Sequence, residues 1–507
     1  MSIGLTNKMY SPDFIDKTTY LAYCQCPKNA WLKVNKPELH GLFELSEFEK
    51  GLSIMGHEVE IMAQKMFPDG VLMKSFEKDA AEMTRQHIDH KTPILFQPTF
   101  VFEDFLARSD ILTYDAMNDQ WNLYEIKASN SLKDTNAVDF IEDACFQAVI
   151  IRNLGIKLGK ILIIHLNKEY VRGDELDIKQ LFITEDITDQ VGEREQESWK
   201  KMNQAKKDIF GKSEQELVCE CIYTGRSAHC TTFIYSHPEV PAYSVHDLAR
   251  IGSSKKTLRL LIDDCIYDLK DIPPDFHLTE IQSNQLAVYK TKKPIIDLGA
   301  IKKELKDLQY PLYFLDYETY ASAIPLFKGF HPFQHIPFQF SLHVVNDPTG
   351  ETDNFEYLHQ DNSDPSDMII GELRSLIGPK GSIIAWNKSF EQSINTQLAE
   401  RNPKHKAFLD DINSRMYDLM DIFKKQFYVH SDFQGKTSIK KILPVLVPES
   451  SYKGLEIREG ATASQKWYEM IFGDLVPTEK EKIQKDLMDY CGQDTYAMYV
   501  IWKFLMH

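Results

Sequence analysis

The sequence predicts an α/β protein built from two α/β modules joined by a mostly helical stretch. Three observations carry this. Continuous apolar runs of strand length occur in both halves, at Lys160 to Leu166 and Pro311 to Leu315. Each run sits among segments with helical start and stop signals. At 507 residues the chain also exceeds what one hydrophobic core accommodates. The modules are expected over residues 1–240 and 306–507, with 241–305 as the helical linker.

The elements follow in order. Lys17 to Leu32 reads as a helix running through Cys24-Gln25-Cys26-Pro27, and Ser46 to Met66 as another, with Gly56-His57 inside it. Asp110 follows Leu106-Ala107-Arg108-Ser109, and after a polar interval Leu123 to Lys127 forms a strand. Val138 to Asn153 is helical, with Gly155 at its C-terminal cap, and leads into the buried strand at Lys160. From Glu193 to Lys302 the pattern turns helical and polar. There Val245 to Pro273 pairs two short amphipathic segments around Gly252-Ser253-Ser254-Lys255, either a helix-hairpin-helix-like unit or a plain linker. The second module opens with the strand holding Asp316, then a strand at Phe338 to Val345, a helix at Ser366 to Ile377 and a strand at Gly381 to Trp386. A helix starts near Asn387-Lys388-Ser389-Phe390-Glu391. The last helix opens at Pro477 with a Thr478-x-x-Glu481 capping box.

Composition excludes several classes. No apolar run is long enough to span a membrane, and Met1 to Lys8 lacks an apolar targeting core, so a cytoplasmic address is expected. A net charge of −17 argues against a protein that coats nucleic acid through a broad basic surface. Basic pairs such as Lys440-Lys441 can still line a phosphate track. Gly211-Lys212-Ser213 is not a phosphate loop, because Lys206 stands where its first glycine belongs, so a helicase or a repair or defence partner would be a separate chain.

The acidic motifs point to phosphodiester chemistry. Asp316 and Glu318 share one face of a strand, and Tyr490 and Asp494, four apart on a helix, share one face of that helix. Such carboxylates suit two hard divalent ions, Mg²⁺ or Mn²⁺. In the first half, Asp110 followed by Glu125-Ile126-Lys127 places two carboxylates and an ammonium together, a second site for one or two ions.

The C-terminal half resembles the DnaQ-like exonucleases of ribonuclease-H-type fold, in the branch that uses a tyrosine. The matching residues are Asp316 and Glu318, Asn387 to Glu391, and Tyr490-Cys491-Gly492-Gln493-Asp494. The resemblance implies that Asp316, Glu318, Glu391 and Asp494 bind two divalent ions, that Tyr490 orients the attacking water, and that cleavage runs 3′→5′. The family has Asp where this chain has Glu391, so either its helix sits slightly back or the second metal site weakens; Asp418 is the runner-up ligand, its place after the second motif suggesting a supporting role. The N-terminal half resembles RecB-like nucleases of the PD-(D/E)xK class, a restriction-endonuclease-like fold. There His57, Asp110 and Glu125 would bind metal, Lys127 would be catalytic, and Gln147 would contact the backbone or Lys127. The chain as a whole resembles the domain of unknown function 2779 family, through Cys26-Pro27-Lys28 with Trp31-Leu32, the Asp110 and Glu125 motifs, and Phe314 to Glu318 with its continuation to Phe340.

Eight cysteines in a reducing compartment imply thiols or ligands. Cys145, Cys265 and Cys491 read as core. RecB-type resemblance implies that Cys26, Cys219, Cys221 and Cys230 can hold an iron-sulfur cluster; zinc, with His229 or His237, is the alternative, and an empty thiol group a third. The expected function is a metal-dependent nuclease acting on DNA rather than RNA, single-stranded or at ends. The alternatives are a catalytically degenerate nucleic-acid-binding scaffold and an RNA-processing exonuclease.

Overall fold

The computed structural model describes residues 13–73, 79–132, 139–348, 351–450 and 452–506. Met1 to Lys8, read as lacking a targeting core, lies outside these residues, as does Val138. The protein is a mixed α/β structure whose chain divides into two units, Met1–Pro238 with Ala323–Pro332, and Glu239–Ser322 with Phe333–His507. Residues 239–305 therefore fall within the second unit. Among the described residues no helix is long and apolar enough to cross a membrane.

The first unit begins with α1 (Lys17–Gln25) and α2 (Pro27–Asn35). One continuous helix is expected here, but Pro27 has no N–H to donate, and Cys26 leaves helical geometry to cap α2 instead. Helix α3 (Glu47–Gln64) starts at a Ser46/Glu49 capping box. A six-stranded sheet holds β1 (Val71–Leu72), β2 (Ile94–Phe96), β3 (Ile111–Asp115), β4 (Gln120–Lys127), β5 (Leu158–Leu166) and β6 (Phe182–Asp186) in that spatial order. The hairpin β3–β4 pairs Ile111 with Tyr124, which brings Asp110 level with Glu125. After β4 the chain crosses through α4 (Phe140–Asn153), whose Asp139 side chain caps the first turn, and returns as β5 parallel to β4. Cys145, Phe146 and Ile150 of α4 are fully buried, and α5 (Thr188–Gly211) packs against α4 through Val191, Met202 and Ile209.

Beyond α5 the expected helical stretch is largely irregular. Between residues 212 and 254 there are 3₁₀ turns and one short helix, and the two amphipathic segments resolve into 3₁₀ turns and a single helix at Lys255–Asp263. Serines, glycines and prolines here compete with helical hydrogen bonding.

The second unit is centred on a five-stranded sheet of β7 (Leu312–Ala321), β8 (His335–Val345), β9 (Thr352–Leu358), β10 (Ser382–Ala385) and β11 (Met416–Asp418), ordered β9-β8-β7-β10-β11. Strand β7 is central, antiparallel to β8 and parallel to β10. Helices α6 (Ser366–Leu376) and α7 (Ser389–Arg401) pack into the core that includes Leu315, Phe340 and Ile383. Further along come α8 (Ile439–Leu446), α9 (Gly460–Phe472) and α10 (Pro477–Met506). Helix α10 lies on β7 and β8 and is pinned there by polar groups. Gln339 Nε2 donates to the Leu487 carbonyl at 3.0 Å, and Thr495 Oγ1 lies 2.7 Å from Ser341 Oγ and 2.8 Å from His343 Nδ1. The start of α10 differs from the expected box: the Val476 N–H donates to Glu479 Oε2 at 3.3 Å, and Thr478 lies inside the helix.

Candidate active site

Four acids come together in the second unit. Asp316 and Glu318 project from β7, Glu391 from the first turn of α7, and Asp494 from α10, and all four line one cavity of about 240 Å³. Each placement has a local cause. The period of two along β7 sends Asp316 and Glu318 the same way. Asn387, left-handed at φ 71°, turns the chain from β10 into α7, and its N–H is held by Asp418 Oδ1 at 2.9 Å. The one-turn spacing on α10 aligns Tyr490 with Asp494, and both face the same cavity.

The electrostatics of this cavity are unbalanced. Burial, then Asp494, Glu318 and Glu391, push the Asp316 carboxyl well above the usual range, and burial with Asp494 does the same to Glu318. Burial lifts Glu391 to about 8, and burial also raises Asp494. Glu391 Oε2 is buried without a hydrogen-bond partner. Against four carboxyl groups stands, among the described residues that line the cavity, the single ammonium of Lys440, whose Nζ donates to Tyr490 Oη at 3.0 Å and to the Arg458 carbonyl at 2.5 Å. Burial and the neighbouring acids raise the phenols of Tyr490 and Tyr452, which therefore stay neutral. Tyr452 and Lys440 carry no motif that marks them in the sequence beyond the Lys440-Lys441 pair. Asp418 binds backbone N–H groups of Asn387 and Met420 and pairs with Lys424, so it shapes the loop under Glu391. Cys491, expected as core, is buried, and its sulfur lies within 4.8 Å of the carboxylates of Asp316 and Glu318.

In the first unit Asp110, Glu125, Lys127 and Gln147 also converge, with two further residues. Lys127 Nζ lies 2.8 Å from Glu125 Oε1 and 2.5 Å from Asp143 Oδ2. Lys17 of α1 lies 2.6 Å from the same Glu125 oxygen and 3.3 Å from Asp143. Gln147 Nε2 donates to Glu125 Oε2 at 2.7 Å and Asp143 Oδ1 at 3.0 Å, so it braces the two acids. Burial works against both lysines, but Asp143 and Glu125 hold Lys17 well above its ordinary value and Lys127 above its own. Asp143 is depressed against the pull of burial by Lys127 and Lys17. Asp110 accepts the Ile126 N–H at 2.6 Å and is raised well above its range by burial and Glu125. Two ammonium groups thus balance Glu125 and Asp143.

His57 does not join this cluster. Its side chain is 53% exposed and its Nδ1 faces Glu60 Oε2 at 3.6 Å. Glu60, held by Gln64 and Gln97, is the α3 residue whose charge reaches Asp110. Among the cysteines, Cys26, Cys219, Cys221 and Cys230 bring their sulfurs within 4.8 Å of one another. Cys145 is buried as expected, whereas Cys265 is exposed at φ 57° just after the helix Lys255–Asp263.

Residues 313–438 match the family described as domain of unknown function (DUF2779), so the resemblance holds over the stretch that contains Asp316, Glu318 and Glu391. An uncharacterized protein of Ureaplasma parvum serovar 3 is 26% identical over 292 residues, 52% of this chain and 41% of that protein. Uncharacterized proteins of Mycoplasma pneumoniae and Mycoplasma genitalium are 25% and 26% identical over 43% of this chain and 36% of each relative. The chain thus spans less than half the length of these curated relatives. No solved structure matches.

Proposed function

We propose that the protein is a metal-dependent nuclease whose second unit removes nucleotides from the 3′ end of single-stranded nucleic acid, DNA in preference to RNA, in the cytoplasm. The observation that carries this is the convergence of Asp316, Glu318, Glu391 and Asp494 on one cavity with a single lysine. A buried carboxylate cluster of this kind is costly unless cations neutralise it. The buried Glu391 Oε2, which has no hydrogen-bond partner, supports this reading as an oxygen available to a cation. Two divalent ions of the Mg²⁺ or Mn²⁺ class, held by these four acids, would supply Lewis acidity toward a phosphodiester and a water nucleophile at neutral pH.

The chain's own groups do the rest. Tyr490 keeps its phenol proton and, with its oxygen fixed by Lys440, offers a donor positioned at the cavity wall. Tyr452 orients Asp494. Trp386, Phe390, Ile439 and Met498 give the cavity an apolar wall on which a base or sugar can rest. A cavity of this size suits one nucleotide at a strand end.

In the first unit, Asp110, Glu125 and Lys127 would be the residues of a second, RecB-like cleavage site. A specific observation favours the other reading there, a nucleic-acid-binding module that does not cut: both oxygens of Glu125 are already taken by Lys17, Lys127 and Gln147. Digestion of an end-labelled single-stranded DNA, and its RNA counterpart, with Mg²⁺ or Mn²⁺ tests the proposal. Wild type is expected to shorten DNA from the 3′ end, Asp316→Ala to be inactive, and Lys127→Ala to retain that activity. Absence of cutting by wild type, or release of nucleotides only from the 5′ end, contradicts it.

A further inference from the structure

Four cysteines of the first unit, Cys26, Cys219, Cys221 and Cys230, form a group that shares no residue with the Asp110–Glu125 cluster. Cys26 caps α2, its Sγ accepting the Asn29 N–H at 3.4 Å, while Cys219, Cys221 and Cys230 come from the irregular segment after α5. Cys26, Cys219 and Cys221 are buried and Cys230 is half-buried. The Cys26–Cys219 and Cys219–Cys230 sulfur separations are each 3.6 Å, and all four sulfurs lie within 4.8 Å of one another. None is close enough to another for a disulfide, whose sulfurs stand about 2 Å apart.

These separations discriminate between ligands. With metal–sulfur bonds of about 2.3 Å, four thiolates around one tetrahedral ion lie roughly 3.8 Å from each other. A four-iron cluster places each thiolate on its own iron outside an inorganic core, spreading the sulfurs to roughly 6 Å, and a two-iron cluster separates one pair from the other in the same way. The cluster here is too tight for either. We infer that Cys26, Cys219, Cys221 and Cys230 bind one tetrahedral ion of the zinc class, a structural centre, and not an iron-sulfur cluster.

The surroundings agree with a closed site. His229 Nε2 lies 3.1 Å from the Thr224 carbonyl and His237 Nε2 lies 3.0 Å from the Cys219 carbonyl, so both rings brace the loop, and the group of converging donor atoms is all sulfur. Thr232 Oγ1 lies 3.7 Å from Cys230 Sγ and donates to Asn29 Oδ1 at 2.7 Å, joining the two halves of the site outside the sulfurs. The segment needs such a tie. Its only regular structure is short turns and one short helix, and its Leu217 meets Trp31 and Leu32 in a small apolar cluster. Binding energy at the metal would hold this segment against the start of α2.

The inference is independent of the nuclease reading. Full-length protein, produced with iron and zinc both supplied and purified anaerobically, is assayed for metals and acid-labile sulfide. About one zinc per chain, without sulfide or brown absorbance, is expected. Cys221→Ser and Cys230→Ser should lose the zinc, and Cys24→Ser, outside the cluster, should keep it. Should those variants fail to fold, Co²⁺ loaded into wild type should give the visible bands of a tetrahedral cobalt thiolate. Iron with sulfide overturns the inference, as does a folded chain that takes up neither zinc nor cobalt.

Discussion

The Tyr452 hydroxyl donates a 2.5 Å hydrogen bond to Asp494 Oδ1, joining a loop residue to an acid on the last helix. The bond favours the ionised carboxylate, which burial otherwise disfavours. Tyr452→Phe removes it and leaves the fold's apolar contacts in place. The expected result is that roughly tenfold more Mn²⁺ is needed for half-maximal cleavage, with little change at saturating metal. A metal titration of cleavage rate checks this; an unchanged half-maximal concentration would show that Asp494 needs no such support.

Lys440 is the cation that touches the Tyr490 oxygen. Lys440→Met keeps most of the stem and removes the charge, freeing the phenol and making the cavity more negative. Cleavage at saturating Mn²⁺ is expected to fall about a hundredfold, the usual cost of losing a positioned electrostatic group, while Mn²⁺ binding is retained or tightened. Loss of Mn²⁺ binding with loss of rate would instead mark Lys440 as a structural prop.

These residues show what can be read from the sequence and what cannot. Asp316 with Glu318 and Tyr490 with Asp494 are legible because strand and helix periods alone place each pair on one face. Asp110 and the Glu125-x-Lys127 pattern are legible for the same reason. Lys17 and Asp143 are not: Lys17 meets Glu125 across 108 residues of sequence, Asp143 enters through Lys17 and Lys127, and on helices a charged residue ordinarily reads as solvated surface. His57 misleads because α3 turns Glu60, not His57, toward Asp110. The break at Cys26-Pro27 was signalled by proline, and that break places Cys26 at the start of α2, where its sulfur meets the later cysteines.

In the first unit, Lys17 and Lys127 together neutralise Glu125 and Asp143. Lys17→Met leaves two buried acids sharing one ammonium. A loss of about 3 kcal/mol in unfolding free energy is expected, somewhat less because the Lys17 side chain keeps partial access to water. Denaturant titration reads this directly, and an unchanged midpoint would show that the pairing adds nothing.

His343 gives the fold a pH dependence. Burial lowers it from 6.5 to about 4, and its neutral ring faces Thr495 of α10. Because the folded value lies below the unfolded one, its contribution is fully present above pH 6.5 and is lost as pH falls toward 4. It amounts to about 3 kcal/mol at most. His343→Asn, which keeps a hydrogen-bonding group without the titration, should flatten the slope of stability against pH in that window. An identical slope in wild type and variant would remove His343 as its source.

The proposal that these acids bind cations in one cavity is tested most directly by the anomalous-difference map of a crystal soaked in Mn²⁺. Manganese density is expected among Asp316, Glu318, Glu391 and Asp494, and none is expected at Glu125. A map with no peak beside Asp316 and Asp494, or with its only peak at Glu125, would contradict the assignment of the active site.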